Sequence, residues 1–182
     1  HLYDRITDDF TEIPVYQQQT RALPHVTSII ESTAGEIWMA TSGIGIIRIK
    51  PGDTTITTDD TLSVRLSSMH LTQVYQDKKG LIWIGSENQG LNRYNPQTNE
   101  VTIFKAPHSI GSNEISTICE DADGNLFVGT LTNGLYRFDD QMQTFHLIPC
   151  ANSSLLPVKS ILIDQKNRLL VGTDGQGMKI YN

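Results

Sequence analysis

The chain has 182 residues, 38% of them hydrophobic, and a formal net charge of −6. Acidic and basic residues are interspersed, which argues against a nucleic-acid surface because such a surface needs a basic stripe. No apolar run approaches the roughly 20 residues of a membrane span, and the start shows no signal-peptide pattern. The chain begins with His1 rather than Met, from which we expect a piece of a longer protein.

A seven-residue phrase occurs four times, beginning at Gly35, Gly80, Gly124 and Asn167. Its large apolar position recurs at intervals of 45, 44 and 43 residues, and a column of glycines and a column of strand openings keep the same intervals. In that order, the three columns are Trp38, Trp83, Phe127 and Leu170; Gly45, Gly90, Gly134 and Gly177; and Val26, Leu71, Ile115 and Val158. A repeat of about 45 residues that carries four strands is typical of β-propeller blades.

In chain order, residues 1–25 are predicted to hold the end of a preceding blade and a connection, with a third strand ending at Tyr3-Asp4 and a fourth from Phe10 to Ile13. Blades follow at 26–70, 71–114 and 115–157, and residues 158–182 form an incomplete blade. The second blade shows the pattern, with strands at 71–76, 81–86, 90–94 and 101–104. Each fourth strand keeps phase, since an apolar residue lies seven residues after a third-strand residue: Phe10 after Tyr3, Ile56 after Ile49, Val101 after Tyr94 and Phe145 after Phe138.

The second strand of each unit is apolar at consecutive positions, as in Ile82, Trp83 and Ile84, so both of its faces need cover. A sheet stacked between two neighbouring sheets meets that need, and a single repeat does not. No stretch of ten or more residues has helical periodicity. We therefore predict an all-β fold of four-stranded antiparallel meanders: about four β-propeller blades that form a segment of a larger propeller.

Each first hairpin is predicted to turn on an aspartate whose carboxylate accepts backbone N–H groups, followed three residues later by glycine or asparagine, which tolerate a positive φ. These positions are Asp77, Asp121 and Asp164, then Gly80, Gly124 and Asn167, with Ser32 and Gly35 as a weaker version in the first blade. Small residues in the second strand are predicted to let the next blade approach closely. They are Ala40, Gly85, Gly129 and Gly172.

Read together, the parts of the repeat are an opening such as Val26-x-Ser28-Ile29, then Asp-x-x-Gly, then Leu/Ile-Trp-Ile-Gly-Ser/Thr, then a third strand such as Gly90-Leu91-Asn92-Arg93-Tyr94 or Gly134-Leu135-Tyr136-Arg137-Phe138. This pattern resembles the two-component regulator propeller repeat over essentially the whole chain. The departures are Phe127 and Leu170 for tryptophan, Ser32 for aspartate, and Lys179-Ile180 where arginine would precede the aromatic residue.

The resemblance implies a non-catalytic sensor module from the periplasmic region of a hybrid two-component histidine kinase of the Bacteroides type, with no cofactor. Such a module is the ectodomain of an inner-membrane protein. It would detect a glycan or oligosaccharide and signal to membrane and kinase domains of the parent chain. If the blades form an open arc, a homodimer is expected, because an open arc exposes two blade faces. The strand from Phe10 to Ile13 could instead complete the last blade and close a small ring.

Loops that join the second strand to the third, and the fourth strand to the next first strand, share one face of a propeller, and loops on a rigid scaffold concentrate binding residues. The candidate ligand-binding residues are Glu87, Asn88, Gln89, Asn133, Asp174, Gln176 and His70. Simple solvation of polar loops is the alternative for each of them. No catalytic residue and no metal ligand is predicted, and Asp121-Ala122-Asp123-Gly124-Asn125 is interpreted as a turn rather than a calcium loop.

Cys119 is placed on a first strand and Cys150 beyond a fourth strand, and such strands lie about 14 Å apart. A disulfide needs Cα atoms within about 7 Å, so both cysteines are predicted to be free thiols. The column of Arg48, Arg93 and Arg137 either lines a ligand surface or packs its stems beside aromatic rings, which is the commoner outcome.

Two rival functions stay open at this point. One is a fragment of a propeller hydrolase or lyase that acts on glycans, and the other is a scaffold for protein interaction. The enzyme would need convergent carboxylates, a tyrosine nucleophile or an arginine cluster around the axis, and the sequence forces none of these into place.

Overall fold

The structure is a computed structural model that describes residues 2–11, 25–53, 57–149 and 156–181. A two-stranded sheet of β1 (Leu2–Asp4) and β2 (Asp9–Thr11) comes first. The first blade then contains β3 (His25–Glu31), β4 (Ile37–Ser42), β5 (Ile46–Ile49) and β6 (Thr57–Thr58), and a single helical turn, α1 (Asp60–Ser63), follows it. Within the described ranges no helix reaches the length needed to cross a membrane.

The next three sheets repeat the same meander. The second blade holds β7 (Leu71–Gln76), β8 (Ile82–Ser86), β9 (Leu91–Asn95) and β10 (Glu100–Phe104). The third holds β11 (Ile115–Glu120), β12 (Leu126–Thr130), β13 (Gly134–Asp139) and β14 (Thr144–Leu147), and the fourth holds β15 (Val158–Ile163), β16 (Leu169–Thr173) and β17 (Met178–Tyr181). Every pairing joins consecutive strands in antiparallel fashion, which confirms the predicted all-β meanders.

The predicted strand bounds and phase agree closely with the structure. β7 has the predicted bounds, whereas β8 and β9 each begin one residue later than predicted, and β10 begins one residue earlier. Third- and fourth-strand residues pair in register as the seven-residue phase predicts: Tyr3 with Phe10, Tyr94 with Val101 and Phe138 with Phe145. Ile56 and the end of the predicted strand at Ile13 lie outside the described residues. β2 pairs with β1, and the described strands show no ladder between β2 and β17.

Two features of the fold were not predicted, the β-bulges and the helix α1. Every first strand carries a β-bulge after its opening residue, because the register of its ladder shifts there. The inserted residues are Thr27, Thr72, Ser116 and Lys159. The short helix α1 was also missed, and its start is capped by Asp59, whose carboxylate accepts a hydrogen bond from Leu62 N.

Hydrophobic clusters fill the spaces between consecutive blades, and first strands of neighbouring blades contact each other. Each cluster joins the large second-strand residue of one blade to the first strand of the next: Trp38 with Leu71 and Val74, Trp83 with Ile115 and Ile118, and Phe127 with Val158. Trp38 and Trp83 are each only 1% exposed. The predicted stacking of blades, with the second strand covered on both faces, is therefore confirmed.

Candidate ligand-binding face

The loops between second and third strands lie against the connections that enter the first strands. Backbone hydrogen bonds join Glu87 N to His70 O over 3.1 Å and Asp174 N to Pro157 O over 2.9 Å. Equivalent bonds tie a loop to the connection of the following blade, as from Gly90 N to Asn113 O over 2.9 Å. We call this edge of the stack, formed by these loops and connections, the loop face. The opposite edge, formed by the turns of the first hairpins and of the third-to-fourth-strand hairpins, is the turn face.

One hydroxyl in each blade fixes the shape of its loop. The last or next-to-last residue of the second strand is serine or threonine, and its hydroxyl donates to the backbone oxygen of the glycine four residues later. The pairs are Thr41 with Gly45 at 2.7 Å, Ser86 with Gly90 at 2.8 Å, Thr130 with Gly134 at 2.9 Å and Thr173 with Gly177 at 2.6 Å. The glycine has a positive φ in all four blades, which explains the glycine column.

Two of the predicted binding residues come together with a third that the sequence did not single out. Ser42 Oγ donates to Glu87 Oε1 over 3.0 Å and lies 3.3 Å from His70 Nδ1. Ser42 belongs to the first blade and Glu87 to the second, so the cluster spans two blades. Ser42 and Glu87 occupy the same repeat position, 45 residues apart, but that spacing alone does not predict their meeting with His70, which depends on how the connection before β7 passes the loop of the first blade.

The other predicted residues lie on the loop face in separate groups. Gln89 Oε1 accepts a hydrogen bond from Lys105 Nζ over 3.1 Å, and Asn133 Nδ2 donates to Gly111 O over 2.8 Å. Asp174 pairs with Lys159 at 3.3 Å, which places that bulge residue on the loop face of the fourth blade. Asn88 and Gln176 are exposed. Lys105 and Lys159 are thus cations on this face that were not among the predicted binding residues.

The clefts that the described residues form between blades lie elsewhere. Three of them separate consecutive blades on the turn face, with volumes of about 410, 340 and 490 Å³ in chain order. The predicted ligand-binding residues line none of these three clefts. Instead, first-hairpin turn residues such as Lys79 and Asp121 line them, so the candidate site is an open surface rather than a pocket.

The aspartates of the first hairpins act as predicted. Oδ1 of Asp77, Asp121 and Asp164 accepts two backbone N–H groups each, from the residues two and four positions later. Gly80, Gly124 and Asn167 have positive φ values of 82°, 85° and 59°. Asp121 therefore forms the turn that was predicted for it. Among the described residues no group of three or more His, Cys, Asp or Glu side chains could hold a metal ion.

The arginine column packs on aromatic rings in two blades. The guanidinium of Arg48 lies 4.9 Å from the Trp38 ring centroid, and that of Arg93 lies 5.5 Å from the Trp83 ring. Arg48 also pairs with Glu36 at 2.8 Å. Arg137 is exposed beside the cleft between the third and fourth blades. Packing, the commoner of the two predicted outcomes, is therefore what Arg48 and Arg93 show.

Cys119 lies on β11 and is half-buried. Burial raises the pKa of its thiol to about 12, so it stays protonated at neutral pH. Cys150 lies outside the described residues, and the predicted absence of a bond between the two cysteines stays a prediction.

Comparison with known proteins agrees with this geometry. Residues 65–88 and 109–132, which include the first hairpins of the second and third blades, match the family model described as two component regulator propeller. No curated protein matches the chain.

Among solved structures, the extracellular domain of BT4673 from B. thetaiotaomicron, assigned to a one component system, is 26% identical, with a TM-score of 0.80 over 99% of this chain and 25% of that chain. The extracellular domain of BT3049 from the same organism, assigned to a hybrid two component system, is 23% identical, with a TM-score of 0.73 over 87% of this chain and 23% of that chain. Virginiamycin B lyase from Staphylococcus aureus is 16% identical, with a TM-score of 0.59 over 87% of this chain and 55% of that chain, a likeness of fold alone.

The chain spans about a quarter of the length of the two B. thetaiotaomicron domains. Family model, repeat columns and blade geometry all coincide on the same hairpins. Two stretches of the chain, in the second and third blades, are therefore similar to the two component regulator propeller family.

Proposed function

We propose that this chain is part of the extracellular, ligand-sensing region of a signalling protein of the two-component type, and that its loop face takes part in binding a glycan or oligosaccharide. The 26% identity with an extracellular domain over 99% of the chain supports the sensor assignment. In this proposal the region lies in the periplasm, and the membrane and histidine kinase parts belong to the same parent protein outside these residues.

The observation that carries the proposal is the cluster of Ser42, His70 and Glu87. Three hydrogen-bonding side chains from two blades meet on an exposed surface, held by a rigid stack beneath them. Carboxylate, hydroxyl and imidazole groups together supply the donors and acceptors that sugar hydroxyls need. A ligand bound there would contact two neighbouring blades, so its binding would be coupled to the distance between them. This coupling would pass a signal into the scaffold.

The arrangement does not favour an enzyme. In a catalytic triad the imidazole lies between the hydroxyl and the carboxylate, so that it can take the proton of the nucleophile. Here the Ser42 hydroxyl itself lies between His70 and Glu87, and its proton is directed at Glu87. The likeness to the lyases shows the fold alone, and we therefore propose a non-catalytic role.

The test is a panel of oligosaccharides measured by thermal shift on the parent ectodomain, followed by calorimetric titration of any that bind. His70→Ala and Glu87→Ala should each weaken binding about tenfold, the effect of losing one hydrogen bond to a charged or strongly polar group. Lys79→Ala, on the turn face, is the matched control and should leave the affinity unchanged. A panel with no binder, or a binder that responds only to Lys79→Ala, would overturn the proposal.

A further inference from the structure

The cluster of Ser42, His70 and Glu87 is held by the backbone as well as by its side chains. Ser42 and His70 face each other in an isolated antiparallel bridge, and Gly43 N donates to Met69 O over 2.9 Å. Glu87 N donates to His70 O over 3.1 Å, so one connection is bonded to the loops of two blades. The three side chains therefore extend from fixed backbone positions.

The hydroxyl of Ser42 determines the direction of both hydrogen bonds in the cluster. A carboxylate has no proton to donate, so Ser42 Oγ gives its only proton to Glu87 Oε1 over 3.0 Å. Toward His70 Nδ1, 3.3 Å away, the same oxygen can then only accept. The neutral imidazole must therefore carry its proton on Nδ1, because the hydrogen bond made by one ring nitrogen sets the tautomer.

This arrangement of protons decides what the cluster offers to a ligand. His70 Nε2 has no proton in this tautomer and is an acceptor, and Glu87 Oε2 is a carboxylate oxygen, which also accepts. Neither atom has a hydrogen bond or an ion pair to a described residue, and both side chains are exposed. The available atoms of the cluster are thus acceptors, and the carboxylate adds a negative charge.

We propose that this cluster binds a neutral oligosaccharide, whose hydroxyl groups donate to His70 Nε2 and Glu87 Oε2, in preference to an acidic one. The inference rests on the proposed function, since it assigns the ligand class of the same site. Sugar hydroxyls can donate to both atoms. The carboxylate of a uronic acid or a sulfate group has no proton to donate, and Glu87 repels it. Ser42 is a positioning residue, because it keeps Nε2 in its accepting form.

The first test compares oligosaccharides that share their linkage and differ only at C6, by calorimetric titration of the parent ectodomain. The pairs are oligomers of galactose and galacturonate, glucose and glucuronate, and mannose and mannuronate. The neutral member should bind about threefold more tightly, the effect of one charge near a surface, and about 1 M salt should reduce the difference. Glu87→Gln should remove this preference. Glu100→Gln, which removes the same charge from an exposed position on the turn face, is the matched control and should keep it.

The second test identifies the acceptors with analogues of whichever neutral oligosaccharide of these pairs binds. Fluorine in place of a hydroxyl removes the donor but keeps an acceptor, whereas hydrogen removes both. At the hydroxyls that contact the cluster, both replacements should weaken binding about equally, by roughly tenfold. Ser42→Ala should weaken binding about threefold, because Nδ1 loses the acceptor that holds its proton, and Ser42→Thr, which keeps the hydroxyl, should not.

The outcomes separate the ligand class from the proposed function. A binder that His70→Ala and Glu87→Ala weaken, but that is acidic or tolerates fluorine at every position, would leave the sensor role in place and overturn the ligand class. A panel without any binder would overturn the proposed function, and the ligand class with it. Circular dichroism melts establish that each variant folds.

Discussion

Trp83 and Asp77 are joined by a buried hydrogen bond from the indole Nε1 to Oδ2 over 2.7 Å. In the other blades the residue four positions after the turn residue takes over part of this arrangement. Asn125 Nδ2 donates to Asp121 Oδ2 over 2.8 Å where phenylalanine replaces tryptophan. In the fourth blade, where leucine replaces tryptophan, Arg168 donates to Asp164. In the first blade, where Ser32 replaces aspartate, Glu36 accepts the hydrogen bond from Trp38. The turn residue, the residue four positions later and the large apolar residue therefore form one unit.

This unit predicts a rescue by a second substitution. Trp83→Phe should lower the free energy of unfolding by about 2 kcal/mol, because it leaves Oδ2 of Asp77 buried without its donor. Adding Leu81→Asn, which copies Asn125, should recover about half of the loss by supplying a new donor. Urea denaturation of both single variants and the double variant measures the coupling. Leu81→Asn alone should give no gain, and strictly additive effects would show that the three positions act independently.

The inter-blade position of Trp83 sets the cost of removing it. Trp83→Ala should lower the free energy of unfolding by about 3–5 kcal/mol, the usual range for truncating a buried large aromatic residue. Leu170→Ala, at the same repeat position but half-buried, should cost about 1 kcal/mol because less apolar surface is lost. Denaturant melts at low protein concentration compare the two. A loss below about 1 kcal/mol for Trp83→Ala would contradict its role between blades.

Glycines of the second strand should differ in their tolerance of a methyl group. Gly85→Ala should cost about 1–3 kcal/mol, because the new Cβ would meet Ile115 of the next blade at 2.7 Å. Gly172→Ala should cost less, since the nearest atom there is the rotatable hydroxyl of Ser160 within the same blade. Thermal melts of the two variants give the comparison. Equal losses would show that close approach of the next blade is not the reason for the small residue.

The sequence predicted the blades because four copies of one pattern reinforce each other. The intervals located Trp38, Trp83 and Phe127, and the structure places each in a cluster between blades. The β-bulges were not predicted: three of the four inserted residues are serine or threonine and the fourth is lysine, and threonine is common in strands without a bulge. Gln76 and Glu120 accept hydrogen bonds from Thr33 N and Lys78 N of the preceding blade, and a polar residue at a strand end gives no sign that it bonds to another blade.

The candidate site was predicted only as far as topology allows. Alternation of strands and loops places His70 and Glu87 on one face, and the structure agrees. Their contact with Ser42, and that of Gln89 with Lys105, depends on the path of connections between blades. The repeat pattern does not predict those paths, because the connections differ in length and composition from one blade to the next.

The bulge residues supply a further comparison. Thr27 Oγ1 donates to Leu71 O over 2.9 Å and lies 3.1 Å from Ala40 O, whereas the buried Thr72 Oγ1 has no hydrogen-bond partner among the described residues. Thr27→Val should therefore lower the free energy of unfolding by about 1 kcal/mol, and Thr72→Val should leave it unchanged or raise it. Chemical denaturation of the two variants decides, and a larger loss for Thr72→Val would show that its hydroxyl is satisfied in solution.

The serine or threonine at or next to the end of each second strand holds its loop by a hydrogen bond to the backbone oxygen of a glycine. The three residues between the hydroxyl residue and the glycine take no part in this hydrogen bond. They differ in every blade: Ser42-Gly43-Ile44, Glu87-Asn88-Gln89, Leu131-Thr132-Asn133 and Asp174-Gly175-Gln176. Each tripeptide is thus a variable loop held by the same hydrogen bond in every blade. The residues of each loop can therefore change one blade at a time, without any change to the scaffold that presents them.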